Sequence, residues 1–323
     1  MKETSYAYAV ARLHAIENSL LSQADMEMLI CAKSPSECMR ILADKGYSSE
    51  SANASPEEIF ANETKKMWSL INELVPDCKV FDIFIYKNDF HNLKVIMKGL
   101  VSGKPYEGLL LSPTTVDTEL ISRAVTDKNF AILPEMMATA ADEAYYALTA
   151  NGDPQMSSVI IDKAYLTAFY NVASEAGEDF LKKLADLTID NANVKTAARC
   201  SKIGKDMTFV SKCLVPLGSF DISGLATAAG GGFTTVKEFL ASTVYGRMLE
   251  EAGDDFSVFE KLCDNLIMNF IRDAKYAFFG IKPIVGFIFA KETEIKALHI
   301  IVSGKLSGLD EEMLRGRLRM LYV

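Results

Sequence analysis

The sequence predicts an all-α fold assembled from three similar helical domains. Three observations carry that expectation. Apolar residues recur at helical spacing along most of the 323 residues, and residues suited to helix N-caps punctuate them. A lysine-centred helical phrase recurs at nearly constant period: its lysines are Lys94, Lys195 and Lys296, with 195 − 94 = 101 and 296 − 195 = 101. No segment alternates apolar and polar residues convincingly in strand fashion, Lys79 to Tyr86 being the one short exception.

The phrase extends beyond its lysines. Asn92, Asn193 and Glu294 stand two residues before them, and Leu93, Val194 and Ile295 stand one before. Gly103, Gly204 and Gly304 close each phrase, and Asp162 and Asp264 lie 33 and 32 residues before Lys195 and Lys296. Such a period divides the chain into helical repeats over 1–105, 106–210 and 211–323.

The elements follow in order. Lys2 to Leu21 reads as a first helix, and Ser22 with Asp25 restarts a short second one through Leu29. Ser34-Pro35-Ser36-Glu37 and Ser55-Pro56-Glu57-Glu58 carry Ser at N-cap, Pro at N1 and Glu at N3, so each predicts a capping box. Gly46 stops the helix between them, and Phe60 to Leu74 continues helical with the only tryptophan, Trp68. Ser112-Pro113 opens the second repeat, Pro134-Glu135 starts a helix through Tyr146, and Asn151-Gly152-Asp153-Pro154 is a turn. Gln155 to Ala176 reads as one long helix ended by Gly177. Val215 to Gly218 and Gly230-Gly231-Gly232 bracket the junction to the third repeat, where Thr235 and Glu238 predict a capping box starting a helix to Glu251. Phe256 to Phe279 is the next helix. Ile284, Ile288, Ile295, Leu298 and Val302 then fall within about 40° of one line on a helical wheel. Gly304 is expected to stop that helix. Asp310 to Arg319 forms a last one, acidic at its start and basic at its end, as the helix dipole favours.

Composition and motifs narrow the function. The net charge of −9 argues against nonspecific nucleic-acid binding, which needs a cationic surface. Gly230-Gly231-Gly232 is followed by Phe233 rather than the lysine a phosphate loop requires, and both Ser-Gly-Lys runs (102–104 and 303–305) fall at helix C-termini, the wrong end for an anion. Cys31, Cys38, Cys78, Cys200, Cys213 and Cys263 include no CxxC pair, and His14, His91 and His299 have no ligand-type neighbour at helical spacing. Free thiols in a reducing cytoplasm are therefore expected, with no leader legible at the amino end. The most apolar run, Tyr276 to Ala290, is broken by Lys282 and Pro283 and is too short to span a bilayer. The reading is of no catalytic, cofactor or metal residues. Two readings stay open on the residues alone. A helical-repeat adaptor of another complex usually has shorter repeats, of about 20–50 residues. An all-α metal enzyme would use Asp186 and Asp190 at i,i+4, a pair without a third ligand.

The opening Tyr6-Ala7-Tyr8-Ala9-Val10-Ala11-Arg12-Leu13 resembles the family of C subunits of V-type and A-type ATPases, relatives of the eukaryotic d subunit. So does the closing run Ala290-Lys291-Glu292, Glu294-Ile295-Lys296, Gly304-Lys305-Leu306, Gly308-Leu309, Glu311-Glu312, Arg315, Leu318-Arg319 and Leu321-Tyr322-Val323. The chain departs from the family at Ala297-Leu298-His299, where an arginine is expected. The resemblance implies a funnel-shaped, non-catalytic rotor subunit with a pseudo-threefold repeat. It would be peripheral on the cytoplasmic face of the membrane and sit between shaft subunits D and F and the proteolipid ring, coupling ATP hydrolysis or synthesis to proton or sodium transport. Polar residues near the repeated helix ends, Lys94, Lys195, Glu294 and Lys296, are the candidates for the socket that takes the shaft.

Overall fold

The computed structural model describes residues 6–47, 54–75 and 79–323, and no strand occurs among them. The expected helix start at Lys2 and Cys78 lie outside these residues.

Local capping signals set most of the helix starts. Helix α1 (Ala7–Glu17) ends four residues before Leu21, because Leu21 turns inward as a buried loop residue. Ser22 and Asp25 exchange side-chain and backbone hydrogen bonds as a full capping box before α2 (Gln23–Cys31). Ser34 caps α3 (Pro35–Asp44), but Glu37 reaches back to the Lys33 N–H instead of that of Ser34, so the reciprocal half of the box is absent. Ser55 and Glu58 complete the box that opens α4 (Pro56–Leu74). Lys79–Phe84, the one possible strand, is a 3₁₀ turn. Its alternation reflects Phe81 and Ile83 pointing into the core from a tight turn.

Helix α5 (Tyr86–Ser102) ends at Gly103, whose φ of +65° is the left-handed cap that glycine adopts without a Cβ penalty. After α6 (Thr118–Thr126) come α7 (Glu135–Thr149), α8 (Pro154–Glu175, capped by Asp153), α9 (Asp179–Lys202) and α10 (Met207–Cys213). Helix α11 (Ile222–Gly230) is followed by α12 (Phe233–Leu240) and α13 (Val244–Ala252). The expected single helix from Thr235 to Glu251 is thus two. Thr235 lies inside α12 and returns its hydroxyl to the Gly231 carbonyl, while Thr243 caps α13. Helix α14 (Phe256–Arg272) also ends short of Phe279, leaving Phe278 and Phe279 exposed after a 3₁₀ turn.

Helix α15 (Lys282–Leu306) does not stop at Gly304. That glycine is helical and buried against Leu314 of α16 (Glu311–Arg317), where a Cβ would collide; the left-handed turn falls at Gly308, φ +73°. Gly304 therefore serves close packing and not capping.

The chain forms two compact units. One comprises Met1–Cys78 and Asp255–Val323, with α15 at its centre and α1, α3, α4, α14 and α16 packed around it. Its core joins Leu29, Ile30, Leu42 and Phe60 to Ile301 and to Ile295, Leu298 and Val302 of the stripe read from the sequence. The other, Lys79–Asp254, packs α5 against α6 and α8, α8 against α7 and α9, and α9 against α11 and α12. There Phe90, Leu93, Ile96 and Met97 of α5 meet Ile121, Met137, Ala141 and Ile161.

Candidate partner-docking site

Three helices carry the candidate residues: α5, α9 and α15. Each also holds a polar pair three residues apart, buried except for the half-buried Lys291 of α15, and the spacing places both side chains on one face. On α5, Asn92 exchanges two hydrogen bonds with the Leu111 backbone, donating to its carbonyl at 2.9 Å and accepting from its N–H at 2.8 Å. One turn earlier, Asp89 accepts from the Thr115 N–H (2.9 Å), the Thr115 hydroxyl (2.6 Å) and the Val116 N–H (3.2 Å). On α9, Asn193 brackets the Val215 backbone in the same way, at 2.9 and 2.8 Å. Asp190 accepts from the Ser219 N–H at 2.8 Å and from its hydroxyl. The spacings are 190 − 89 = 101 and 193 − 92 = 101. The Asp89–Asn92 pair pins the loop that follows α5 and the Asp190–Asn193 pair the loop that follows α10, pairing backbone groups that are part-buried at Leu111 and buried at Val215. Burial pushes both aspartate carboxyls upward, although their hydrogen bonds favour the charged form.

On α15 the equivalent positions are Lys291 and Glu294, a further 101 residues on. Glu294 is 2% exposed. Its carboxylate accepts from the Leu21 N–H (2.5 Å), from the Tyr47 hydroxyl, and from the Lys291 ammonium (2.8 Å). Lys291 also donates to the Tyr47 hydroxyl, lies 4.5 Å over the Tyr47 ring and stands 3.5 Å from Glu63. Burial and the Glu294 charge push the Tyr47 phenol well above its usual range, keeping it a donor. An acid–amide pair in two helices is therefore a base–acid pair in the third. The third ties α15 to the loops after α1 and α3.

The lysines occupy different settings. Lys94 on α5 pairs with Asp162 of α8 at 2.5 Å. Lys195 is half-buried on α9, and Lys296 is exposed on α15. Glu294, by contrast, lies inside the first unit with both oxygens engaged.

Two grooves of about 230 Å³ each accompany these helices. One runs between α8 and α9 and includes Asp162, Leu166, Ala192, Thr196 and Arg199. The other runs between α14 and α15 and includes Asp264, Met268, Thr293, Ala297 and Ile300. These sets correspond at separations of 102 residues for the first two pairs and 101 for the last three. In each groove the aspartate holds a cation from elsewhere in its own unit: Lys94 on Asp162, and Arg319 on Asp264 at 2.9 Å. Lys296 lines the second groove.

The sequence shows Asn92, Asn193 and Glu294 as a recurring position but not what they bind, since their partners lie 19, 22 and more than 240 residues away. It misses Asp89 and Lys291. A signal was present, Asp-x-x-Asn at both 89–92 and 190–193. The aspartates 186 and 190, candidate metal ligands, have separate partners, Lys182 at 2.5 Å and Ser219. Among the described residues no three His, Cys, Asp or Glu side chains gather as a metal-binding group.

Comparison with known proteins matches residues 9–317 to the family described as ATP synthase (C/AC39) subunit. The chain is 25% identical to the C subunit of the V-type sodium ATPase of Enterococcus hirae over 95% of each protein. It is 26% identical to the C subunit of the A-type ATP synthase of Methanocaldococcus jannaschii, over 97% of this chain and 86% of the relative. With the corresponding Thermococcus kodakarensis protein the identity is 24%, over 97% and 90%.

Proposed function

The chain belongs to the ATP synthase (C/AC39) subunit family, and from that premise we propose that it is the central-stalk spacer joining a rotating shaft to a membrane proteolipid ring. Its family makes it a structural, not a catalytic, member of a V/A-type ATPase complex associated with the membrane. The finer role is ours: shaft subunits D and F bind one face, the ring binds another, and torque passes between them to drive proton or sodium transport. The observation that carries this reading is the match along 9–317, nearly the whole chain. No helix among the described residues is long and apolar enough to cross a membrane, which is compatible with peripheral attachment through the ring at the cytoplasmic face.

The repeats over 1–105, 106–210 and 211–323 belong to the same proposal. The corresponding polar brackets and the corresponding grooves support them. A spacer needs stiff loops beside the helix ends it presents, and the buried pairs supply that stiffness. Lys94, Lys195 and Lys296 are the proposed cationic contacts of the socket, and Glu294 holds α15 to Leu21 and Tyr47 within its own unit.

Binding of a purified D–F shaft to the full chain tests the socket. Lys94→Glu combined with Lys195→Glu weakens that binding, and the loss shrinks as salt rises, because rim charges are screened. A double variant that melts like the parent yet binds the shaft unchanged removes these lysines from the proposal.

A further inference from the structure

The turn between α14 and α15 exposes three aromatic side chains within four residues: Tyr276, Phe278 and Phe279 are 70%, 73% and 55% exposed. Both ends of the turn are tied down. Ala274 in the 3₁₀ turn and Ile281 just before α15 are buried, and Gly280, at φ +81°, bends the chain back between them. His14 of α1 donates from Nε2 to the Ala277 carbonyl at 3.2 Å, and its ring stands 6.4 Å from that of Phe278. The rings are thus held outward by the fold. Their rim is cationic: Arg272, Lys275 and Lys282 face one carboxylate, Asp273, over 272–282, in a chain whose net charge is −9. The Lys275 ammonium lies 5.1 Å over the Tyr276 ring, so charge and ring share one side of the turn.

We propose that this turn is a lipid-contacting wedge, which seats Tyr276, Phe278 and Phe279 in the headgroup layer of an anionic membrane. Clustered exposed apolar side chains with a polar rim mark a contact surface. Aromatic rings favour the membrane–water interface, where the ring meets the acyl chains and a tyrosine hydroxyl stays wet, and lysines beside them attract anionic headgroups. An outward turn of rings with a cationic rim suits a headgroup layer, which requires no complementary pocket, better than it suits a protein surface. The wedge reaches no deeper than the interface, because Lys282 and Pro283 open α15 directly behind it.

The inference rests on the membrane association of the family's complex and not on the shaft socket. A few rings at an interface bind reversibly and without a fixed partner, so a subunit turning over the membrane would keep its seat while sliding. The most apolar run in the sequence, Tyr276 to Ala290, divides accordingly: its first residues face outward, and from Ile281 onward it enters the core through Pro283, Ile284, Val285 and Phe287.

Co-sedimentation of the full chain with phosphatidylcholine vesicles, with and without phosphatidylglycerol and at millimolar lipid, tests the proposal. The chain sediments with the anionic vesicles, less so as salt rises and less with phosphatidylcholine alone. Phe278→Ala combined with Phe279→Ala weakens that binding about tenfold or more at an unchanged melting point. Tyr146→Ala, which removes an exposed ring of α7, leaves it unchanged. The indole introduced by Phe278→Trp is quenched by lipids brominated on their acyl chains, while Trp68, buried in α4, is not. No vesicle binding by the parent chain, or equal binding by parent and double variant, overturns the proposal. So does a double variant that keeps vesicle binding and loses binding to a detergent-solubilised proteolipid ring, which would make the turn a protein contact. Vesicle binding is read on the chain alone, so its failure leaves the shaft-binding and ion-uptake tests standing.

Discussion

Glu294 occupies a position that α5 and α9 fill with asparagine, and the exchange is balanced by Lys291 in place of an aspartate. Removing one partner of a buried pair strands the other's charge, so Glu294→Ala is expected to cost about 3–5 kcal/mol in urea unfolding. Lys291→Met combined with Glu294→Gln should cost less than the sum of the single changes, because it leaves no stranded charge. Additive losses would show that the two side chains do not act as a pair. Asp25, in the same unit, is expected to contribute to its acid sensitivity. Its hydrogen bonds to Lys45 and Ser22 lower its carboxyl to about 2, below the ordinary value of about 3.9. A lowered acid contributes stability that is fully present above the unfolded value and is lost as pH falls toward the folded one. Melting points should therefore drop between about pH 4 and pH 2, and Asp25→Asn should reduce that drop. An unchanged pH profile in this variant would exclude Asp25 as its source.

At the scale of elements, α5 pins the loop that follows it, and α9 pins the loop that follows α10, each with an aspartate and an asparagine. Asn92→Ala leaves the Leu111 N–H and carbonyl without partners, and Asn193→Ala does the same at Val215. Each should cost about 2–4 kcal/mol in denaturant unfolding. A loss below about 1 kcal/mol would mean the loop finds other partners. Helix starts were legible because a cap is local: Ser22, Ser34, Ser55 and Asp310 each bond an N–H three residues on. Helix ends and breaks were less so, since distant packing decides them. Gly304 reads as a stop, yet Leu314 holds it inside α15. Thr235 and Glu238 read as a box, yet α12 already begins at Phe233. The bracketing role of Asn92, Asn193 and Glu294 was illegible for the same reason, although their recurrence was plain.

At the scale of the molecule, the family match along 9–317 and the corresponding brackets and grooves belong to a chain whose lineage works without catalysis. The all-α class was readable from periodicity and caps, and the family from residues near the two ends. The contacts with a shaft or ring were not readable, because they depend on partners' surfaces. The proposed role is mechanical transmission. The measurement that tests it most directly is ATP-driven ion uptake into vesicles carrying the complex with and without this chain, beside ATP hydrolysis by the soluble head. Omitting the chain should abolish uptake while hydrolysis persists, and adding it back should restore uptake. Ion uptake that continues undiminished without the chain would contradict mechanical transmission through it.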